Sequence, residues 1–113
     1  MSILFINSSP NHNGNTAKLA RVLLAGHDYQ TLDLADYKLY AYGQNFADDQ
    51  LDDVMTEVAK AATIVIGSPV YWHNLNGLLR NFLDRQYGRV APEFAGKRLF
   101  FLFQGQAPTP EIL

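Results

Sequence analysis

The alternation of apolar and polar positions changes period several times along the chain. Ile3–Ile6 is an unbroken apolar run of strand-favouring types, and it stops at the polar stretch Asn7–Thr16, NSSPNHNGNT. Beyond it Leu19, Val22 and Leu23 recur at helical spacing. This predicts a first helix over roughly Asn15–Ala25, capped by Asn13 or Asn15 and ended by Gly26. Tyr29–Leu34 alternates, as a strand at a sheet edge does. Asp36–Phe46 has no period and reads as a connecting loop. Leu51, Val54, Met55, Val58 and Ala62 then mark one face of a second helix, Thr63–Ile66 an apolar strand ending at Gly67-Ser68-Pro69, and Leu75, Leu78, Leu79, Phe82 and Leu83 a third helix. Lys97-Arg98 opens a last strand, Leu99–Phe103, which closes on Gln104-Gly105-Gln106.

Strands alternating with helices, the strands apolar on both faces, predict an α/β fold with a parallel sheet and right-handed crossovers. Two polar stretches, Ser8–Thr16 and Ser68–Asn74, each follow the carboxyl end of an apolar strand. If the first and third strands are neighbours, these stretches flank the topological switch point, where open α/β sheets bind ligands. The first is also a recipe for holding an anion, because loop N–H groups, hydroxyls and a helix N-terminus can converge on one point.

Composition narrows the chemistry. With 113 residues the chain is one domain, and 48% hydrophobic with 18% charged residues describes a folded protein. A net charge of −2 offers no field to gather nucleic acid or anionic lipid. The absence of cysteine removes disulfides, thiolate catalysis and cysteine-ligated clusters. No run reaches the roughly 20 apolar residues of a membrane span, and the cytoplasm is the expected compartment. Asp48, Asp49, Asp52 and Asp53 read as carboxylates favoured at a helix N-terminus, and no metal site is expected. His12 reads as solvated at a loop tip, Asp84 and Arg85 as structural. The first loop has neither a G-x-x-x-x-G-K-[ST] nor a G-x-G-x-x-G pattern, which argues against triphosphate and dinucleotide loops.

Together, SSPNHNGNTAKLA and GSPVYWHNLNGLLRNFLDR resemble the NADPH-dependent FMN reductase and NAD(P)H:quinone reductase family of the flavodoxin-like superfamily. The resemblance covers about residues 1–105. It implies a flavodoxin-like sheet of order 2-1-3-4 with helices on both faces. The family's fifth strand and final helix are missing, so residues 1–113 read as a single flavodoxin-like domain truncated at its C-terminus. It implies that Ser9, Asn11, Asn15, Thr16 and the N–H groups through Ala17 hold the FMN phosphate. Pro69, Val70, Tyr71, Trp72, His73 and Asn74 would line the flavin ring and ribityl chain, with Gln104 and Gly105 on the same side and the glycine allowing close approach.

The activity so implied is an NAD(P)H oxidoreductase. FMN would accept hydride at N5 and pass two electrons to a quinone, flavin or similar small acceptor, with ping-pong kinetics and no catalytic side chain. Related iron–sulfur flavoproteins place clustered cysteines between the second strand and second helix, where this chain reads Tyr40–Phe46 without one. Two rival readings are a flavodoxin-like FMN-binding electron carrier and a non-catalytic, incomplete domain. The last strand, long, apolar and uncharged, would be an open edge. A homodimer or higher homo-oligomer covering it is expected.

Overall fold

The computed structural model describes residues 2–71, 74–86 and 92–105. In chain order the elements are β1 (Ile3–Asn7), α1 (Asn15–Leu23), β2 (Gln30–Asp33), α2 (Leu51–Ala59), β3 (Thr63–Tyr71), β4 (Asn74–Leu75), α3 (Gly77–Asp84) and β5 (Arg98–Gln104). Single 3₁₀ turns fall at Leu34–Asp36 and Pro92–Phe94. The parallel sheet runs β2-β1-β3-β5, which is the order 2-1-3-4 once the short β4 is set aside. β4 folds back antiparallel on the end of β3, Tyr71 opposite Asn74. Among the described residues no helix is long and apolar enough to cross a membrane.

Strand alternation divides the core in two. Leu4, Ile6, Ile64 and Ile66 face α2 and α3, packing against Val54, Met55, Val58, Leu79 and Phe82. Phe5 and Val65 face α1 and meet Ala17 and Ala20. Helices therefore cover both faces. Each large side chain removed from water contributes about 1.5–3 kcal/mol, and the β1–β3 pair, with Ile6 and Ile64 fully buried, is the centre of that stabilisation.

Several expectations are corrected. The buried face of α1 is Thr16, Ala17 and Ala20, while Val22 and Leu23 are exposed. Small residues win because the helix sits close on the sheet: a Cβ on Gly67 of β3 would lie 2.7 Å from the Phe5 ring and 2.8 Å from Thr16 Cγ2. Its cap is Gly14, with neither Asn13 nor Asn15 in that role, since Asn15 is already the first helical residue. Gly26 follows the helix at φ 85°, a left-handed value that glycine adopts without a Cβ penalty.

Ala62 is exposed beyond α2 and Ala61 is the buried one. Leu75 belongs to β4 and not to α3. β3 does not end at Ile66 but runs on through Gly67-Ser68-Pro69 to Tyr71. The Pro69 nitrogen is tolerated there because, by the alternation that turns the Gly67 carbonyl toward Ser8, it points to the β1 side, past the last β1–β3 pair, Asn7 with Gly67. β5 is not buried on both faces: Leu99, Phe100 and Phe101 are 42–52% exposed.

Candidate functional site

β1 and β3 are neighbours, so the two polar stretches meet at the carboxyl edge of the sheet. β1 ends at Asn7, a buried amide that organises the turn: its Nδ2 donates to the Asp33 carboxylate at 2.9 Å and to the Asn11 carbonyl at 3.2 Å, and its Oδ1 accepts from Ser9 N–H at 3.1 Å. Ser9 is buried, and its Oγ accepts from Asn11 N–H at 3.1 Å. The chain then crosses the exposed tip Pro10–Asn13 and enters α1 at Gly14.

The entry into α1 is left open. Gly14 has no side chain to cap with, and the first turn holds no acidic residue. The N–H groups of Asn15, Thr16 and Ala17 therefore stand without a capping side chain at the positive end of the helix. Among the described residues nothing hydrogen-bonds the hydroxyl of the buried Thr16 or the side-chain amides of Asn11 and Asn15. α3 is built the other way: its N-cap, Asn76, accepts from Leu79 N–H at 3.1 Å. One helix start is closed by its own sequence, and the other presents donors.

On the other side of the switch point β3 carries Pro69, Val70 and Tyr71, with Asn74 paired to Tyr71 through β4. Trp72, His73 and Gln106 lie outside the described residues. Gln104 ends β5 directly beside Pro69. The close approach permitted by Gly105 is to Val70, whose Cβ would stand 2.8 Å from an added Cβ. All of the described expected residues therefore lie along the carboxyl ends of β1, β3 and β5 or at the start of α1. The residues the expectation omitted are the ones that hold the frame: Asn7, Ser8, Gly67 and Asn76. Only Asn76, an asparagine just before a helix, had a recognisable signal.

His12 does not stand free at the tip. Its Nε2 lies 2.7 Å from Asp36 Oδ1 and 4.0 Å from Asp33 Oδ2, and the Asp36 hydrogen bond and both nearby carboxylates raise its pKa above the ordinary 6.5. Behind the site, the connecting stretch between β2 and α2 is fastened to α3. Arg85 grips Asp49 with two hydrogen bonds of 2.6 and 2.9 Å and donates to the Tyr40 carbonyl, and Asn81 Nδ2 donates to the Leu39 carbonyl. The Arg85 guanidinium holds the Asp49 carboxyl well below the usual carboxylate range, aided by the N–H groups of Tyr40 and Leu51. Asp48 pairs with Lys38 and Tyr40, while Asp52 and Asp53 sit in the first turn of α2.

Residues 1–108 match the family described as NADPH-dependent FMN reductase. The chain belongs to the NADPH-dependent FMN reductase family. It is 32% identical over 98 residues to the iron-sulfur flavoprotein of Archaeoglobus fulgidus, covering 75% of this chain and 48% of that protein. It is 26% identical over 93 residues to YwqN of Bacillus subtilis, a candidate NAD(P)H-dependent FMN-containing oxidoreductase, covering 75% and 51%. The chain thus spans about half the length of these curated relatives. Among solved structures it resembles NADH:FMN oxidoreductase EMOB in its apo form, with a TM-score of 0.65, 28% identity, and coverage of 95% of this chain and 59% of that one. The Trp repressor binding protein of Bacillus subtilis shares the fold at a TM-score of 0.72 and 20% identity, covering 93% and 63%. The family's flavodoxin-like architecture is therefore the architecture of this chain.

Proposed function

We propose that the chain is the FMN-binding part of an NAD(P)H-dependent oxidoreductase that delivers two electrons to a small acceptor of the quinone or flavin class. The observation that carries this reading is the uncapped start of α1 beneath the Ser9–Thr16 loop, against the capped start of α3 on the other side of the switch point. In this reading the N–H groups of Asn15, Thr16 and Ala17, with the Ser9, Asn11 and Thr16 side chains, hold the phosphate. No lysine or arginine lies between Ser8 and Thr16, so backbone donors and the helix dipole supply the attraction. That neutral cradle suits a phosphate monoester better than a triphosphate.

Pro69, Val70 and Tyr71, with Trp72, His73 and Asn74, would border the ring, with Gln104 and Gly105 on the same side, beside Pro69 and Val70. Bound FMN would supply a two-electron redox centre that no side chain of this chain provides. The chain's own residues bind and orient it, and none acts as nucleophile or base. Lacking cysteine, the chain has no thiolate to hold an iron–sulfur cluster, in contrast to what the name of its Archaeoglobus relative states. The cytoplasm, where NAD(P)H is available, is the compartment of this reading, and self-association through β5 its assembly.

The test is anaerobic. Mixed with FMN and then with NADPH or NADH, the protein should bind the flavin and accelerate loss of its visible absorption band, and added quinone should restore the band. A protein that binds FMN without any such acceleration would reduce the reading to that of a flavin carrier, and one that binds no FMN would remove it.

A further inference from the structure

We infer that Asn76 couples the two halves of the cofactor site, acting as a positioning residue that fixes the phosphate loop against the strand end bordering the ring. Its side chain is buried (3% exposed) and reaches three elements. Oδ1 accepts from Leu79 N–H at 3.1 Å, capping α3, and lies 3.4 Å from Ser68 Oγ of β3, whose shorter bond, 2.8 Å, is to the Pro69 carbonyl. Nδ2 donates to the Ser8 carbonyl at 2.6 Å, across 68 residues of sequence. Ser8 in turn gives both its donors to one acceptor, the Gly67 carbonyl, with N–H at 3.0 Å and Oγ at 2.7 Å. These bonds sit just past Asn7–Gly67, where the ladder between β1 and β3 ends. Ser8, Gly67, Ser68 and Asn76 thus continue the β1–β3 connection by other means, at the point where β1 gives way to the phosphate loop and β3 runs on toward Pro69–Tyr71.

Capping alone does not require this residue. A serine or aspartate supplies the cap oxygen equally well. What asparagine adds is the Nδ2 donor, aimed at a buried carbonyl of the opposite loop, and an unmade buried bond of that kind is expensive. With the Ser8 carbonyl pinned, Ser9–Thr16 leaves the sheet from a fixed point relative to Pro69–Tyr71. A ligand touching both sides gains from that fixed distance, and a ligand touching one side does not.

The inference rests on the FMN reading, and its test separates the two. FMN and riboflavin differ by the phosphate, so their affinity ratio, measured by flavin fluorescence, reports what the phosphate loop contributes. The unaltered protein should bind FMN more tightly than riboflavin. Asn76→Ser keeps a cap oxygen and loses the donor to Ser8. It should weaken FMN about tenfold, the loss expected for one buried hydrogen bond, while riboflavin weakens less, so the ratio narrows.

Ser8→Ala removes a different bond of the same circuit with Asn76 intact. It should narrow the ratio in the same direction, and it carries the test if Asn76→Ser fails to fold. Equal weakening of both flavins in a folded variant, or an unchanged ratio, would assign Asn76 to helix capping alone and overturn the inference. Failure of the unaltered protein to bind either flavin overturns the FMN reading itself, before any variant is made.

Discussion

At the scale of single residues, Gly67 shows how tightly the site is set into the fold. A Cβ there would meet Phe5 Cε1 at 2.7 Å and Thr16 Cγ2 at 2.8 Å, and both side chains are buried. Gly67→Ala should therefore destabilise the protein by about 1–3 kcal/mol, the range for overpacking a core, seen as a lower urea midpoint. It should also push Thr16, and with it the open start of α1, away from the sheet, weakening FMN binding. Adding Thr16→Ser deletes one of the two clashing carbons and should recover part of the stability. Full additivity of the two changes would show that they do not act on one contact.

The same residues show what could be read in advance. Ile3–Ile6 breaks sharply into Ser8–Thr16, so the strand-to-helix turn was legible. The face of α1 was not, because hydropathy favours Val22 and Leu23 whereas a close-set helix selects Ala17 and Ala20. The cap at Asn76 was legible, but the long-range bonds of Asn7 and Asn76 were hidden for another reason: Asp33 lies 26 residues from Asn7 and Ser8 lies 68 from Asn76.

At the scale of elements, the Asp49–Arg85 pair decides how the stretch between β2 and α2 is held to α3. Both side chains are mostly buried, at 17% and 16% exposed. Arg85→Ala should cost about 1.5–3 kcal/mol, the range for hydrogen bonds to a charged group, and should open residues 40–49 to proteolysis. Arg85→Lys should not restore the two-point grip, since an ammonium cannot reproduce the fork. Because the folded-state pKa of Asp49 lies below its unfolded value, the fold favours its ionised form. That stabilisation is complete above about pH 5 and is lost as pH falls further, so the acid limb of a stability profile should flatten in Arg85→Ala.

The His12 contact to Asp36 and Asp33 runs the other way: its pKa is raised, so the charged pairing is present at low pH and lost as pH rises through that raised value. An NMR titration should place His12 above 6.5, and Asp36→Asn should bring it down. An unchanged titration would mean that the tip is not clasped to the Leu34–Asp36 turn.

At the scale of the whole molecule, what stands out is the apolar surface that the two-layer core leaves uncovered. Leu99, Phe100 and Phe101 of β5 are 42–52% exposed, and between β5 and α1 lies a groove of about 700 Å³ bordered by Leu23, Leu24, Val65 and Leu102. Parallel strands are normally covered on both faces, and among the described residues β5 pairs only with β3 and carries no charge from Leu99 to Gln104, an edge that invites another strand. β5 is suited to pair with itself. Set antiparallel to a second copy about Phe101, Arg98 falls opposite Gln104, Leu99 opposite Phe103 and Phe100 opposite Leu102, so no like charges meet. The 113-residue chain should therefore sediment as a dimer or larger species. Phe101→Lys places two ammonium groups across the pairing axis and should shift it toward monomer, with FMN binding retained because Phe101 borders neither polar stretch. A monomer throughout a concentration series, before any substitution, would show that β5 does not pair with itself.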